Sequence, residues 1–201
     1  HSSSAASDVY KRQMLKGALT CPLPNPRFLY LAPLRSQSKV IAWDYVKEYA
    51  RHIPGVKFNE QELRADFPNG GRITLAGALD IDNLRGGYFD GVVLDEFAQM
   101  SPRVWSEVCR PAMSDRAPYS WAVFIGTPQG EDNSFYDIYQ HAVQDDNWYA
   151  AMYKASETGL IDEDELADAK RSMTPSQYQQ EFECSFSAAI PVSYTHLRAH
   201  E

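Results

Sequence analysis

The sequence predicts an α/β protein with a central, mainly parallel sheet and helices on both of its faces. Three observations carry this. Short, near-continuous apolar runs, RFLYLAP (27–33), GVVL (91–94) and SWAVFIGTPQG (120–130), read as strands buried on both faces. Stretches with apolar residues three and four apart separate them, the alternation from which parallel sheets are built. The chain has 201 residues, 44% hydrophobic and 12% aromatic, ample for one globular core.

Taken in order, MLKGALTC reads as a short helix broken by the prolines at 22, 24 and 26. RFLYLAP is the first buried strand. Residues 36–55 read as a helix with Val40, Trp43, Val46, Ala50 and Ile53 on one face, stopped by Pro54-Gly55. Residues 57–79 offer an early strand, a turn at Pro68 to Gly71, and a second strand, RITLAGA. GVVLDE is the next strand. SPRVWSEVCRPAM follows as a helix, with Ser101 as N-cap and Pro102 as first residue, where the missing N–H is harmless. After the strand in SWAVFIGTPQG come a helix in NSFYDIYQHAVQDD and a strand in WYAAMYKA (148–155). Two helices close the core, opened by Asp162 with Glu165 and by Thr174 with Gln177 at capping-box spacing.

Composition excludes several classes. A net charge of −8 argues against a uniformly basic nucleic-acid coat. No apolar run approaches the roughly 18 residues of a membrane-spanning helix, and the Ser/Ala-rich start has no apolar core of a signal peptide. Cys21, Cys109 and Cys184 are far apart and lack metal or redox spacing, which suits reduced, unpaired thiols. The five histidines are scattered, so no zinc site is expected.

Both ends, HSSSAASDVYKRQ and VSYTHLRAHE, resemble translated sequencing-adaptor sequence. The expectation is that residues 1–13 and 191–201 are non-native tails that pack poorly, around a biological segment of 14–190 internal to a longer protein.

One feature of the sheet is chemically loaded. Ligands of open α/β sheets bind at the carboxyl ends of the strands, and GVVL runs there into Asp95 and Glu96. Four apolar strand residues followed by Asp and Glu form the Walker B pattern. Asp95 is suited to hold Mg²⁺ and Glu96 to orient or deprotonate an attacking water, with neighbours on a strand pointing to opposite faces. On its own, such a pair also arises where an apolar strand simply ends in acids.

The stretches LYLAP, LRGGYFDGVVLDEFA, VWSEVCRPAMSDR, FIGTPQG and YQQEFECSF, in this order and spacing, resemble the ATPase domain of the large subunit of a tailed-phage terminase. The resemblance covers nearly all of residues 14–190. It implies a three-layer P-loop NTPase-like domain of the additional-strand, catalytic-glutamate type, with ATP and Mg²⁺ as cofactors. Asp95 then matches the metal-binding aspartate and Glu96 the catalytic glutamate. Gly126, Thr127 and Pro128 match a motif that couples γ-phosphate loss to movement. Arg85 matches an arginine that acts on a neighbouring subunit's nucleotide in some members, a role that suits a permanently charged, forked guanidinium. The resemblance further implies a DNA-packaging motor on double-stranded DNA. Its partners would be a portal protein, a small terminase subunit and further copies in a ring, at the prohead in the infected host's cytoplasm, with no membrane.

Arg35, after the first strand, reads as a solvated surface arginine; Trp105 and Trp121 read as core aromatics. No G-x-x-x-x-G-K-[ST] phosphate loop occurs in the sequence, and Lys16 is not its lysine. The RNase H-like nuclease domain of the family would begin after FSAAIP. The 201 residues alone are therefore expected to be inactive. The competing readings are a helicase-type or other P-loop ATPase, and a non-enzymatic α/β interaction domain in which the two carboxylates are incidental.

Overall fold

The computed structural model of the chain describes residues 4–187. The chain divides into two compact units, His1–Gly126 and Thr127–Glu201. Among the described residues no helix is long and apolar enough to cross a membrane.

The first unit holds a six-stranded sheet. In chain order its strands are β1 (Arg27–Ala32), β2 (Lys57–Asn59), β3 (Arg64–Asp66), β4 (Arg72–Gly77), β5 (Gly91–Leu94) and β6 (Trp121–Phe124). Their spatial order is β2-β3-β4-β1-β5-β6. β4, β1, β5 and β6 run parallel, and β2 and β3 extend the sheet antiparallel beside β4. The parallel set is the one expected from the apolar runs. Between β3 and β4, Pro68 to Gly71 form the expected turn: Phe67 and Gly70 N–H donate to the Gly71 and Phe67 carbonyls, and Gly70 has a φ of 84° that favours glycine.

Strand pleating sends alternate residues to opposite faces. Phe28, Tyr30, Ile73, Leu75 and Val93 share one buried cluster with Met14 and Ala18 of α1 (Ser4–Thr20) and with Trp43, Val46 and Ala50 of the following helix. On the other face Leu29, Leu31, Val92 and Leu94 are fully buried. There Phe124 meets Phe97 and Trp105 edge-on, with ring centroids 4.9 and 4.8 Å apart. Trp121 packs on Phe28 at 5.8 Å. Both tryptophans are half-buried.

Several expectations are corrected. The helix expected over 36–55 runs as α2 (Arg35–Ser38), a π-helical turn (Lys39–Trp43) and α3 (Asp44–Ala50), ending before Pro54. The wide π turn rotates the apolar stripe, so Ala42 is buried and Val40 is 80% exposed. The helix after β5 is a π-helical stretch (Val104–Cys109) continuing into α4 (Arg110–Ser114). Its cap residue is Arg103. Ser101 and Pro102 belong to the preceding turn and contribute only carbonyl oxygens, which accept from Val104 and Ser106 N–H.

Residues 9–13 were expected to pack poorly. Val9 is indeed 58% exposed, but Tyr10 and Lys11 are buried, at 5% and 6%, because α1 lays them against the sheet and the neighbouring helix. Tyr10 stacks 6.5 Å from Tyr30, and the Lys11 ammonium lies over the Tyr45 ring. Residues 191–201 lie outside the described residues.

The second unit is helical among its described residues: α5 (Ser134–Gln144), α6 (Ala155–Thr158), α7 (Glu163–Ser172) and α8 (Pro175–Glu181). Asn133 caps α5, its side chain accepting from Phe135 and Tyr136 N–H. Asp162 caps α7, accepting from Asp164 N–H. At α8, Thr174 and Gln177 form the expected reciprocal capping box with Pro175 in the first turn. The strand expected at 148–155 does not form. Exposure does alternate there, with Tyr149 and Tyr153 outward and Ala150 and Met152 half-buried, but no described strand lies beside it to form a ladder.

Candidate functional site

The parallel register sets the carboxyl ends of the strands at one rim. Leu31 lies beside Leu94, and Leu94 beside Phe124. Asp95 therefore emerges from β5 between the ends of β1 and β6. Its N–H donates to the Leu31 carbonyl at 2.8 Å, extending the ladder by one residue. Its side chain is not at the surface: Asp95 is only 7% exposed. The Tyr30 hydroxyl donates to Oδ2 and the Glu96 N–H donates to Oδ1 at 3.1 Å. Burial raises the Asp95 pKa above its ordinary range; bonds from Tyr30 and the Glu96 N–H and the nearby Lys11 charge pull the other way.

Glu96 leaves the strand sharply. Its φ of 55° and ψ of 43° are left-handed, an uncommon conformation for a side chain with a Cβ, and one that concentrates at functional sites. This turn, rather than strand pleating, separates the two carboxylates. Asp95 is held inward under Tyr30, and Glu96 is half-buried, its Oε2 accepting from Gln99 Nε2 at 3.4 Å.

The end of β6 is tied to the same turn. Ile125 N–H donates to the Leu94 carbonyl and Phe97 N–H to the Ile125 carbonyl, at 2.9 and 3.0 Å. Gly126 follows, so close that a Cβ there would lie 3.3 Å from Glu96 Cα and 3.4 Å from Phe97 N. The structure thus brings Asp95, Glu96 and Gly126 together. Thr127 and Pro128 open the second unit, half-buried and buried respectively.

Arg85 is engaged elsewhere. Its partners are Asp82 at 2.7 Å and Glu107 at 3.0 Å, Glu107 being shared with Arg103. Arg35 donates to the Gln61 carbonyl on an exposed surface.

Sequence reasoning missed Tyr30 as a neighbour of Asp95. The available signal was the pairing of two apolar strands, LYLA and VVLD, which sets Tyr30 beside Val93 and one pleat back from Asp95. The donor set suits a hard cation: carboxylate oxygens with lone pairs left over, as a magnesium ion shared with phosphates needs. No cluster of three or more His, Cys, Asp or Glu that could hold a metal occurs among the described residues, so the donor would be Asp95 with ligands from elsewhere.

A parallel α/β sheet whose central strand ends in a buried aspartate, with a glutamate turned out beside it, defines a nucleotide-hydrolase type of domain. The family model described as "Terminase large subunit, T4likevirus-type, N-terminal" matches residues 24–189. The chain belongs to that family. It is 26% identical over 170 residues to the terminase large subunit of Escherichia phage T5, covering 82% of this chain and 38% of that protein. The chain thus spans well under half the length of that relative. Among solved structures, the large terminase ATPase domain of Thermus phage P74-26 aligns with a TM-score of 0.64 at 21% identity, covering 91% of this chain and 84% of that one. The large terminase of another thermophilic bacteriophage, in complex with ATP-gamma-S, aligns with a TM-score of 0.66 at 14% identity, covering 83% and 41%. At these identities the structural likeness establishes the shared fold.

Proposed function

We propose that Asp95 and Glu96 form the hydrolytic centre of an ATP-driven motor that packages phage DNA. The observation that carries this reading is the contrast between the two adjacent carboxylates at the strand rim, one buried and held at both oxygens, the other turned out by a left-handed residue. Asp95 would hold Mg²⁺, which when bound neutralises charge on the transferring phosphate. Glu96 positions and deprotonates the attacking water. Gly126, in contact with the Glu96 backbone, supports the coupling role of Gly126, Thr127 and Pro128, since movement of one backbone must displace the other. Arg85, permanently charged and 43% exposed at its side chain, would act on a neighbouring subunit's nucleotide in a ring.

The working form is the longer protein, acting on double-stranded DNA with a portal protein and a small terminase subunit in the infected host's cytoplasm, and carrying a nuclease domain. We read residues 14–190 as the ATPase segment and 1–13 and 191–201 as non-native. The family match to 24–189 supports the first, and the burial of Tyr10 and Lys11 counts against the second for those two positions. The test is magnesium-dependent phosphate release by the full-length protein, its Asp95→Ala variant and the 201-residue chain. Activity is expected in the first alone. Robust hydrolysis by Asp95→Ala, or by the short chain without a phosphate loop, would refute the reading.

A further inference from the structure

We propose that Tyr30 is a positioning residue for Asp95: its hydroxyl fixes the rotation of the carboxylate and so decides which lone pairs face a bound cation. The inference rests on the reading of Asp95 as the metal ligand.

The geometry begins with strand register. Tyr30 of β1 lies directly beside Val93 of β5, and Asp95 follows Val93 by two residues, on the same face. Such a diagonal neighbour lies about 7–8 Å away, within reach of an aromatic side chain but not of a short polar one. Tyr30 is fully buried. In a purely packing role at this place a phenylalanine would serve better, because a buried hydroxyl is unfavourable unless it finds a partner. The partner it finds is Asp95 Oδ2.

The other oxygen is held from the opposite direction by the Glu96 N–H, and the Asp95 backbone is pinned to Leu31. Three bonds from two strands thus remove the freedom of a carboxylate that would otherwise spin about its last bond. An O–H donor to a carboxylate is a charge-assisted bond, stronger than a neutral pair. Tyr10, stacked on Tyr30 and also bonding towards Asp95, holds the ring from above.

Tyr30→Phe removes the hydroxyl and keeps the ring. In the full-length protein, Mn²⁺ binding in the presence of ADP is followed by electron paramagnetic resonance for wild type, Tyr30→Phe and Asp95→Asn. Urea unfolding without nucleotide serves as the structural control. A lost outer partner typically weakens metal affinity by roughly 10–100-fold. That weakening is expected for Tyr30→Phe, with metal-free ADP binding and the urea midpoint near wild type. Replacing Tyr30 by 4-aminophenylalanine, which restores an N–H donor on the same ring, should recover most of the Mn²⁺ affinity. Mn²⁺ affinity within about twofold of wild type in Tyr30→Phe, while Asp95→Asn is strongly impaired, overturns the positioning role alone. Unchanged affinity in Asp95→Asn overturns the assignment of the ligand and this inference with it. A loss in Tyr30→Phe that 4-aminophenylalanine fails to recover, or that is matched by a fallen urea midpoint, reassigns Tyr30 to packing.

Discussion

Replacing Asp90 by alanine should destabilise the first unit by about 3 kcal/mol. Asp90 sits at the amino end of β5, the rim opposite Asp95, and is fully buried. Its Oδ1 accepts from Arg116 Nε at 2.7 Å, and its Oδ2 from Arg116 Nη2 at 3.2 Å and Arg27 N–H at 2.8 Å. Its backbone joins Arg27 on one side and Trp121 on the other, so one residue ties β1, β5 and β6. Breaking a buried pair by deleting one partner typically costs about 3–5 kcal/mol, because the remaining charge is stranded. Here Arg116 keeps the Pro24 carbonyl at 3.2 Å and the Tyr88 ring at 4.4 Å, so the lower end applies. For a chain of this size that is a fall in Tm of roughly 6–12 °C. Asp90→Asn keeps an acceptor for Arg27 N–H and should lose about half as much. Urea unfolding of Asp90→Ala, Arg116→Ala and the double variant measures the coupling directly. A loss below about 1 kcal/mol for Asp90→Ala, or additive single effects, would refute the claim that the pair staples the strands. The exposed Arg85–Asp82 pair serves as a contrast, and breaking it should leave the midpoint where it is.

Gly126→Ala places a Cβ about where the Glu96 backbone already lies, so one of them must move by a few tenths of an ångström. Stability should fall by only about 1 kcal/mol, while phosphate release by the full-length protein should slow roughly tenfold or more, since small misplacements of a catalytic group are costly; undisturbed turnover would separate Gly126 from Glu96. Acid should weaken the β3–β4 edge through Asp66. Burial pushes its pKa up, but hydrogen bonds from Arg72 and Arg64 outweigh this and leave it below the usual range. A depressed carboxylate contributes stability in full above its unfolded pKa of about 3.9 and loses it as pH falls through the lower folded value. Wild type should therefore lose more urea stability than Asp66→Asn on going below about pH 4, and parallel curves would contradict the assignment.

The parts of the fold that were legible are those written in local pattern. RFLYLA, RITLAG, GVVL and WAVF announce buried strands because both their faces are apolar, and Thr174-Pro175 announces a helix start by its own hydrogen-bonding chemistry. Asp95 and Glu96 stood out because charges are rarely placed at the end of such a strand. What was not legible depends on partners distant in sequence. WYAAMYKA has a strand's alternation but no neighbour to pair with. Val40 has a helical spacing that one wide turn undoes. Tyr30 looks like any core aromatic until the β1–β5 register puts it beside Asp95. The left-handed Glu96 and the contact made by Gly126 likewise arise from the meeting of β5 and β6, which neither strand encodes alone.

The central claim, that Glu96 activates the water which attacks the nucleotide, is tested most directly by single-turnover phosphate release from the full-length protein carrying Glu96→Gln. The amide keeps the size and hydrogen-bonding reach of the side chain but cannot take a proton. Hydrolysis should slow by roughly 10²–10⁴-fold, the share that general-base catalysis supplies, while Mg-ATP affinity stays within a few-fold of wild type. Undiminished hydrolysis in Glu96→Gln would contradict it.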